Sequence, residues 1–357
     1  MAVVKPFRAL RYARPSATVV APPYDVITPE QRLEYLSRDP HNVVHLTLPD
    51  SEEQAAETLA GWIREGVLVE DAEPALWALE QRFVGPDGVE RTRTGVVASL
   101  EVVPYEKSVV LPHERTHSGP KEGRLRLLRA TRTQLEPIFL LHEGPTLLAG
   151  EGEPTLEAKE GGVTTRLWRV DDPGAIEGVR AALVDEQLLI ADGHHRYETA
   201  VAFREEDGAD SMMVVLVGSE QKGLTIFPTH RIAQRLETRQ GEPIESVADA
   251  LARLEALPRD HAAVALYFAD RPLLVEGLPG ELDAALVERL KPEGVSYTPS
   301  VDEAVGAVDR GEAEAAFLLR PLLIDEVRTV AERGEVMPQK STYFYPKLLS
   351  GLLFHPV

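Results

Sequence analysis

The sequence predicts an α+β fold with mixed sheets, and three observations carry that expectation. A short apolar run, Leu188-Leu189-Ile190, breaks at Asp192-Gly193 and opens a helix whose apolar positions are Tyr197, Ala200, Val201 and Phe203. Two alternating runs, Ala75 to Val84 and Glu90 to Val103, are joined by GPDG, a hairpin signal that argues against a purely doubly wound sheet. Beyond residue 245, helices and strands alternate, which predicts a C-terminal α/β region.

Taken in order, Val19 and Val20 are strand-like, and Pro22-Pro23 makes a stiff turn before Tyr24 and Asp25. Thr28 caps a helix to Ser37, with Pro29 at its first position and Gln31 completing a capping box. Asn42 to Leu48 reads as a strand, so His41 and His45 lie far apart along one face. Ser51 caps an amphipathic helix with Ala55, Leu59, Trp62 and Ile63 on one face. Val109 to Leu111 is strand-like, Pro112 to Pro120 a polar loop, Glu122 to Ala130 a helix and Ile138 to Leu141 a buried strand. Residues 143–163, rich in Gly, Glu and Pro, form a surface connection or a small hairpin. Leu167 to Val170 is a strand and Pro173 to Asp185 a helix; beyond the Tyr197 helix, MMVVLVG and LTIFPTHRI are strands. Helices then fall at Glu245 to Leu257, Leu282 to Leu290, Val301 to Val308 and Ile324 to Arg333. Strands fall at Ala262 to Phe268, Leu273 to Val275 and Ala315 to Leu319.

The 357 residues suffice for two domains or one elaborate one. A net charge of −20 repels a phosphate backbone and disfavours nucleic-acid binding. The absence of cysteine excludes disulfides, thiolate metal sites and cysteine nucleophiles. No apolar run approaches membrane-spanning length and the N-terminus lacks a signal-peptide core, so no membrane partner and a cytoplasmic location are expected.

The strand-to-helix turn at Gly193 is suited to an anion, because backbone N–H groups and the positive end of the helix dipole meet there. His194, His195 and Arg196 add donors at the same spot. Asp192, at the strand end, is suited to hold a metal ion or orient a histidine. Upstream, His113-Glu114-Arg115-Thr116-His117 matches H-E-x-x-H, but Pro112 and Ser118-Gly119-Pro120 leave room for one helical turn at best, which argues against zinc. Without zinc, Glu114 sits in a polar loop followed by Lys121 and Arg124, an arrangement that suits phosphoryl transfer to an alcohol and equally a solvated loop with surface salt bridges. For Asp25, metal ligation, substrate-amine binding and turn capping all remain open. Thr229-His230-Arg231 and Lys340-Ser341 each put a cation beside a hydroxyl after a proline, and suit either anionic substrate groups or solvated turns. Only eight lysines stand against thirty arginines, yet Lys121, Lys340 and Lys347 fall in or beside these stretches, a hint that a compact ammonium is wanted there.

PPYDVI (22–27), HERT with GPKEGRLRLLRA (113–130), ADGHHRYETA (191–200), PTHR (228–231) and MPQKSTYFYPKLLSGL (337–352) resemble the bacterial domain-of-unknown-function family 1015 over almost the whole chain. A more distant resemblance is confined to short motifs. DGHHR, between a strand and a helix, is similar to the phosphate-binding signature of the ParB/sulfiredoxin superfamily, in the form found in archaeal free-serine kinases. Pro112-His113-Glu114 matches the triplet those kinases carry upstream, with a longer gap here. Sulfiredoxin chemistry is excluded, because His194 occupies the cysteine position.

The resemblance implies a ParB/sulfiredoxin-like strand-turn-helix phosphate site within residues 1–235, interrupted by an insertion around 121–187. It is followed by an α/β subdomain at 236–335 and a tail at 336–357 that packs back near the site. It implies a nucleotide-dependent small-molecule kinase that phosphorylates free L-serine to O-phosphoserine, using ATP or ADP with Mg²⁺. Glu114 would be the base, with His113 beside it and Lys121 or Lys340 neutralising charge. Asp192, Gly193, His194, His195, Arg196 and Arg124 would hold the nucleotide, Asp192 also contacting metal. Tyr24, Asp25, His230, Arg231, Lys340 and Ser341 would meet the acceptor. The alternative is a ParB-like regulator that binds or hydrolyses nucleotide without a small-molecule acceptor.

Overall fold

A computed structural model describes residues 1–114, 118–237, 239–269 and 271–357. The chain divides into two compact units. Unit 1 comprises Met1–Pro112, Thr116–Leu224 and Pro346–Val357; unit 2 comprises His113–Arg115 and Thr225–Tyr345. The expected boundary after residue 235 falls inside unit 2, whose sheet includes the strand His230–Arg235. The class is α+β with mixed sheets, as expected.

Among the described residues, unit 1 is built on a nine-stranded sheet. From one edge it runs Val110–Leu111, Leu188–Asp192, Ile138–His142, Ser211–Gly218, Glu90–Glu101, Leu76–Val84, Val163–Val170 and Leu156–Glu160, with Val4–Lys5 added to Glu90–Glu101. Leu188–Asp192 pairs parallel to Val110–Leu111 and antiparallel to Ile138–His142, which in turn runs parallel to Ser211–Gly218. The remaining pairs are antiparallel, including the hairpin expected around Gly88. Ile138–His142, inside the segment expected as an insertion, is fully buried between two strands of the sheet. That segment therefore supplies core. Helix Ser118–Thr131 packs on helix His194–Asp207, where Leu125, Leu128 and Phe203 form a small apolar cluster.

Local signals hold where side-chain chemistry fixes them. The Thr28 hydroxyl accepts from the Gln31 N–H, and the Gln31 side chain accepts from the Thr28 N–H, so helix Pro29–Arg38 starts as expected. The Ser51 hydroxyl accepts from the Gln54 N–H and caps Glu52–Arg64. Ala55, Leu59 and Trp62 bury beneath that helix, but Ile63, expected on the same face, is exposed. Asn42 to Leu48 is not a strand. Val44–Thr47 forms a helical turn because the Asn42 side chain accepts from the Val44 N–H and donates to the Thr18 and Val20 carbonyls. Val19 and Val20 precede an isolated bridge between Ala21 and Ser350 and form no strand.

Unit 2 holds a six-stranded sheet in the order Glu242–Pro243, Arg271–Pro279, His261–Phe268, Ala315–Leu318, His230–Arg235, Glu293–Thr298. Every neighbouring pair is antiparallel, so the helix–strand alternation does not build the parallel sheet that such alternation suggests. Alternating residues feed two cores. Ala233, Leu266 and Phe317 face Leu286 and Val287 on one side, while Ile232, Ala265 and Ala316 face Leu254 and Val308 on the other. Glu293–Thr298 lies at the sheet edge and was not expected, since its polar, largely exposed sequence lacks an apolar period. No helix among the described residues is long and apolar enough to cross a membrane.

Candidate functional site

In unit 1 the buried strand Leu188–Asp192 ends at Gly193, which adopts φ +102° and caps the fourteen-residue helix His194–Asp207. A Cβ there would lie 2.6 Å from Ile138 Cγ2, so backbone conformation and space both require glycine. Gly193 offers the helix no side-chain cap, and the positive end of the dipole lies at His194, His195 and Arg196.

Beneath this turn runs a buried charge network. Lys347 Nζ donates to Asp192 Oδ1, and Arg196 Nη2 donates to Asp192 Oδ2 at 2.5 Å. Arg196 Nη1 donates to the Pro137 carbonyl. Burial pushes the Asp192 carboxyl up, but Lys347 and Arg196, with His194 behind them, outweigh it and hold the group well below the usual range. Burial likewise lowers Lys347 and Arg196, and Asp192 with Asp25 more than restores them. Arg93, fully buried, donates to Gln81 Oε1 and, at 2.7 Å, to the Pro346 carbonyl. Burial brings its guanidinium down to about 9 against the opposing charge of Asp192.

Glu136 joins the network to two further segments, accepting from the Tyr24 N–H at 3.0 Å and from Ser350 Oγ at 2.6 Å. The Arg124 guanidinium lies 4.1 Å from the Tyr24 ring centre and donates to the Thr47 carbonyl. Arg124, Glu136, Arg196 and Thr199 line a cavity of about 50 Å³, room for a water or two and too small for a nucleotide. Lys121 pairs with Glu198 at 3.4 Å. Thus Tyr24, Asp25, Arg124, Asp192, Gly193 and Arg196 come together, while Lys121 is engaged on the helix flank.

Two expectations change. Both Asp192 oxygens are occupied by cations, so the geometry does not suit a metal ion at that carboxylate, and no group of three or more His, Asp or Glu among the described residues could hold one. Arg196 is committed to Asp192 and Pro137, which makes it a brace for the turn. Lys347, Glu136 and Arg93 are the residues that sequence reasoning did not assign to the site; the scarcity of lysine was the one signal for Lys347.

Unit 2 gathers the remaining candidates. His113 is buried; its carbonyl accepts from the Met337 N–H at 2.8 Å, and its Nε2 lies 3.0 Å from Thr342 Oγ1. Glu114 forms a parallel bridge with Met337. Strand Thr225–Phe227 pairs with Tyr343–Tyr345, so the segment after Met337 is tied both to His113-Glu114 and to the strand that leads into Pro228-Thr229-His230-Arg231. Lys340 adopts φ +54°, and the buried Ser341 hydroxyl donates to the Pro338 carbonyl at 2.6 Å. The Leu319 N–H donates to His230 Nδ1, which leaves the ring proton on Nε2, and burial with Arg231 nearby brings this histidine down to about 4. His230 and Arg231 are neighbours on one strand, so they address opposite faces of the sheet and cannot grip one group together. His117, the second histidine of the H-E-x-x-H match, lies outside the described residues.

The model of a family described as protein of unknown function (DUF1015) matches residues 4–291. No curated protein matches the chain. Among solved structures the chain is similar to a free serine kinase in complex with AMP, at 18% identity, covering 66% of this chain and 83% of that one with a TM-score of 0.41. A mutant of a free serine kinase in complex with ADP gives 17% identity, 66% and 84% coverage and a TM-score of 0.41. SbnI with C-terminal truncation from Staphylococcus aureus gives 15%, 70% and 85%, with a TM-score of 0.37.

Proposed function

We propose that this chain, which belongs to the DUF1015 family, is a nucleotide-dependent kinase of a small alcohol, with free L-serine as the acceptor and ATP or ADP as the donor. The observation that carries the reading is the Gly193 turn: a position that only glycine can hold opens a long helix without a side-chain cap, and a buried set of cations braces it. Such a helix end suits phosphate oxygens. Gly193, His194 and His195 would meet the nucleotide phosphates, with Arg196 and Asp192 fixing the turn. Glu114 would accept the proton of the acceptor hydroxyl as its oxygen bonds to phosphorus and the bond to the leaving nucleotide breaks. Lys121 or Lys340 would offset charge on the group in transfer. Magnesium would enter with the nucleotide and not through Asp192, which is already paired.

The full chain incubated with serine, Mg²⁺ and ATP, ADP or CTP in turn is expected to yield O-phosphoserine. Glu114→Gln should lower the rate by about 10²–10⁴-fold with an unchanged melting temperature. Full activity in that variant removes the base assignment. Tight nucleotide binding without turnover across an amino-acid panel would instead support a nucleotide-sensing regulator.

A further inference from the structure

Arg231 in unit 2 presents an imbalance that the fold does not resolve. The residue is only 4% exposed, yet no salt bridge joins it to a carboxylate among the described residues, and its Nη2 has no hydrogen-bond partner. Buried arginines are ordinarily paired, because a lone charge in a poorly solvated site costs several kcal/mol. Two carboxylates influence it from a distance without meeting it. Asp283 is consumed by Arg320, at 2.9 and 2.7 Å, and by the Ala263 N–H, while Glu288 is exposed. Burial lowers the Arg231 guanidinium, and Tyr297, Glu288 and Asp283 only partly offset that effect. The Tyr297 ring centre lies 5.8 Å away, a contact that steadies the cation without supplying a negative charge.

A second orphan lies at the same place. Arg231 Nη1 donates to the Thr229 carbonyl at 3.0 Å, which brings the guanidinium to residue 229, and the buried Thr229 hydroxyl is also without a partner. Two buried donors of one short segment therefore lack an acceptor, and the cation lacks an anion. We propose that Arg231 and Thr229 form a binding site in unit 2 for one oxyanion, the carboxylate or phosphate group of a small molecule. The proposal rests on the kinase reading only for the molecule's identity, where the site would take the acceptor's carboxylate; the binding itself stands apart. His230, on the other face of the strand, has no part in it.

The test is the melting temperature of the full chain, with and without millimolar L-serine, serinamide or inorganic phosphate. Wild type is expected to gain about 2 °C or more with at least one oxyanion. A gain with serine that serinamide does not reproduce identifies the carboxylate; a gain with phosphate alone identifies the phosphate. Arg231→Met, which removes the uncompensated charge at similar length, should melt at or above the wild-type temperature without ligand and lose the gain. Thr229→Val should fold and show a reduced gain. A ligand-free Arg231→Met that melts well below wild type, or fails to fold, assigns the arginine to structure and overturns the site. So does the absence of any oxyanion effect on wild type, or an unchanged gain in both variants. A failed transfer assay would leave this result standing, and loss of the Arg231-dependent gain would leave the transfer assay standing.

Discussion

Replacing Lys347 by methionine asks whether the buried pair with Asp192 holds the Gly193 turn in place. Lys347 and Asp192 side chains are 20% and 14% exposed, so solvent screens them little. At an effective dielectric of about 20, opposite charges 4 Å apart attract by about 4 kcal/mol, and removing one partner of a buried pair costs about 3–5 kcal/mol. Arg196 remains on the second oxygen and offsets part of that cost, so the expected net loss is about 2–3 kcal/mol. All three tryptophans, Trp62, Trp77 and Trp168, lie in unit 1, so urea unfolding followed by tryptophan fluorescence reads that unit alone. The midpoint should fall with the slope unchanged. Adding Asp192→Asn should cost less than the sum of the single losses, with a coupling above about 1 kcal/mol. The acid side gives an independent signature. Asp192 is held below the ordinary aspartate value near 3.9, so its contribution is complete above that pH and is lost as pH falls further through the depressed folded value. Without Lys347 the folded value climbs, and acid loss should begin at higher pH. A loss below about 1 kcal/mol, or additive single variants, would refute the view that this pair holds the turn.

Gly193→Ala forces a side chain into the left-handed region and against Ile138, at about 1–2 kcal/mol for the backbone and about 1–3 kcal/mol for the crowding. Tryptophan fluorescence in urea should show that loss, together with disappearance of any ATP-induced rise in melting temperature; an unperturbed variant would mean that the turn is not tightly built. In unit 2, His230 titrates near 4 when folded and near 6.5 when unfolded, so the unfolded chain binds the extra proton between those values. Stability from this group is complete above about pH 6.5, and about 3 kcal/mol of it is lost as pH falls towards 4. His230→Gln, which keeps an acceptor for the Leu319 N–H, should flatten that dependence when hydrogen exchange is followed across Ala315–Leu318; an equally steep profile would remove His230 as its source.

How much of this was legible depended on how far along the chain the deciding contact lay. Thr28 with Gln31, Ser51 with Gln54, and the GPDG hairpin are local devices, and each appears as the sequence predicts. The Asp192-Gly193 turn is local too, since its strand, glycine and helix occupy one short window. Val44–Thr47 misled because β-branched residues there are bent into a helical turn by Asn42, whose partners Thr18 and Val20 lie more than twenty residues upstream. For the candidate site, residue types were readable but allegiances were not: nothing in DGHHR says that Arg196 turns inward to Pro137, or that Asp192 is met by a lysine 155 residues away.

That long-range pairing is accounted for on elementary grounds. The chain leaves unit 1 after Leu224 and returns at Pro346, so closing Lys347 onto Asp192 requires a long loop. Loop-closure entropy grows only logarithmically, adding about 0.6 kcal/mol for each doubling of length. On its return the segment buries Leu348, Leu349, Leu352, Leu353 and Phe354, and full burial of such side chains contributes about 1.5–3 kcal/mol each. It also pairs His355–Pro356 with Thr133–Gln134 and sets Ser350 on Glu136. Apolar burial thus brings the segment home, and the Lys347 charge contributes position more than affinity. The apolar run KLLSGLLF signals burial but not its partner, because any apolar surface satisfies that signal. The charges of Asp192, Glu136 and Lys347 fix its position, and they become readable only once strand Leu188–Asp192 lies beside Ile138–His142, the strand that follows Glu136.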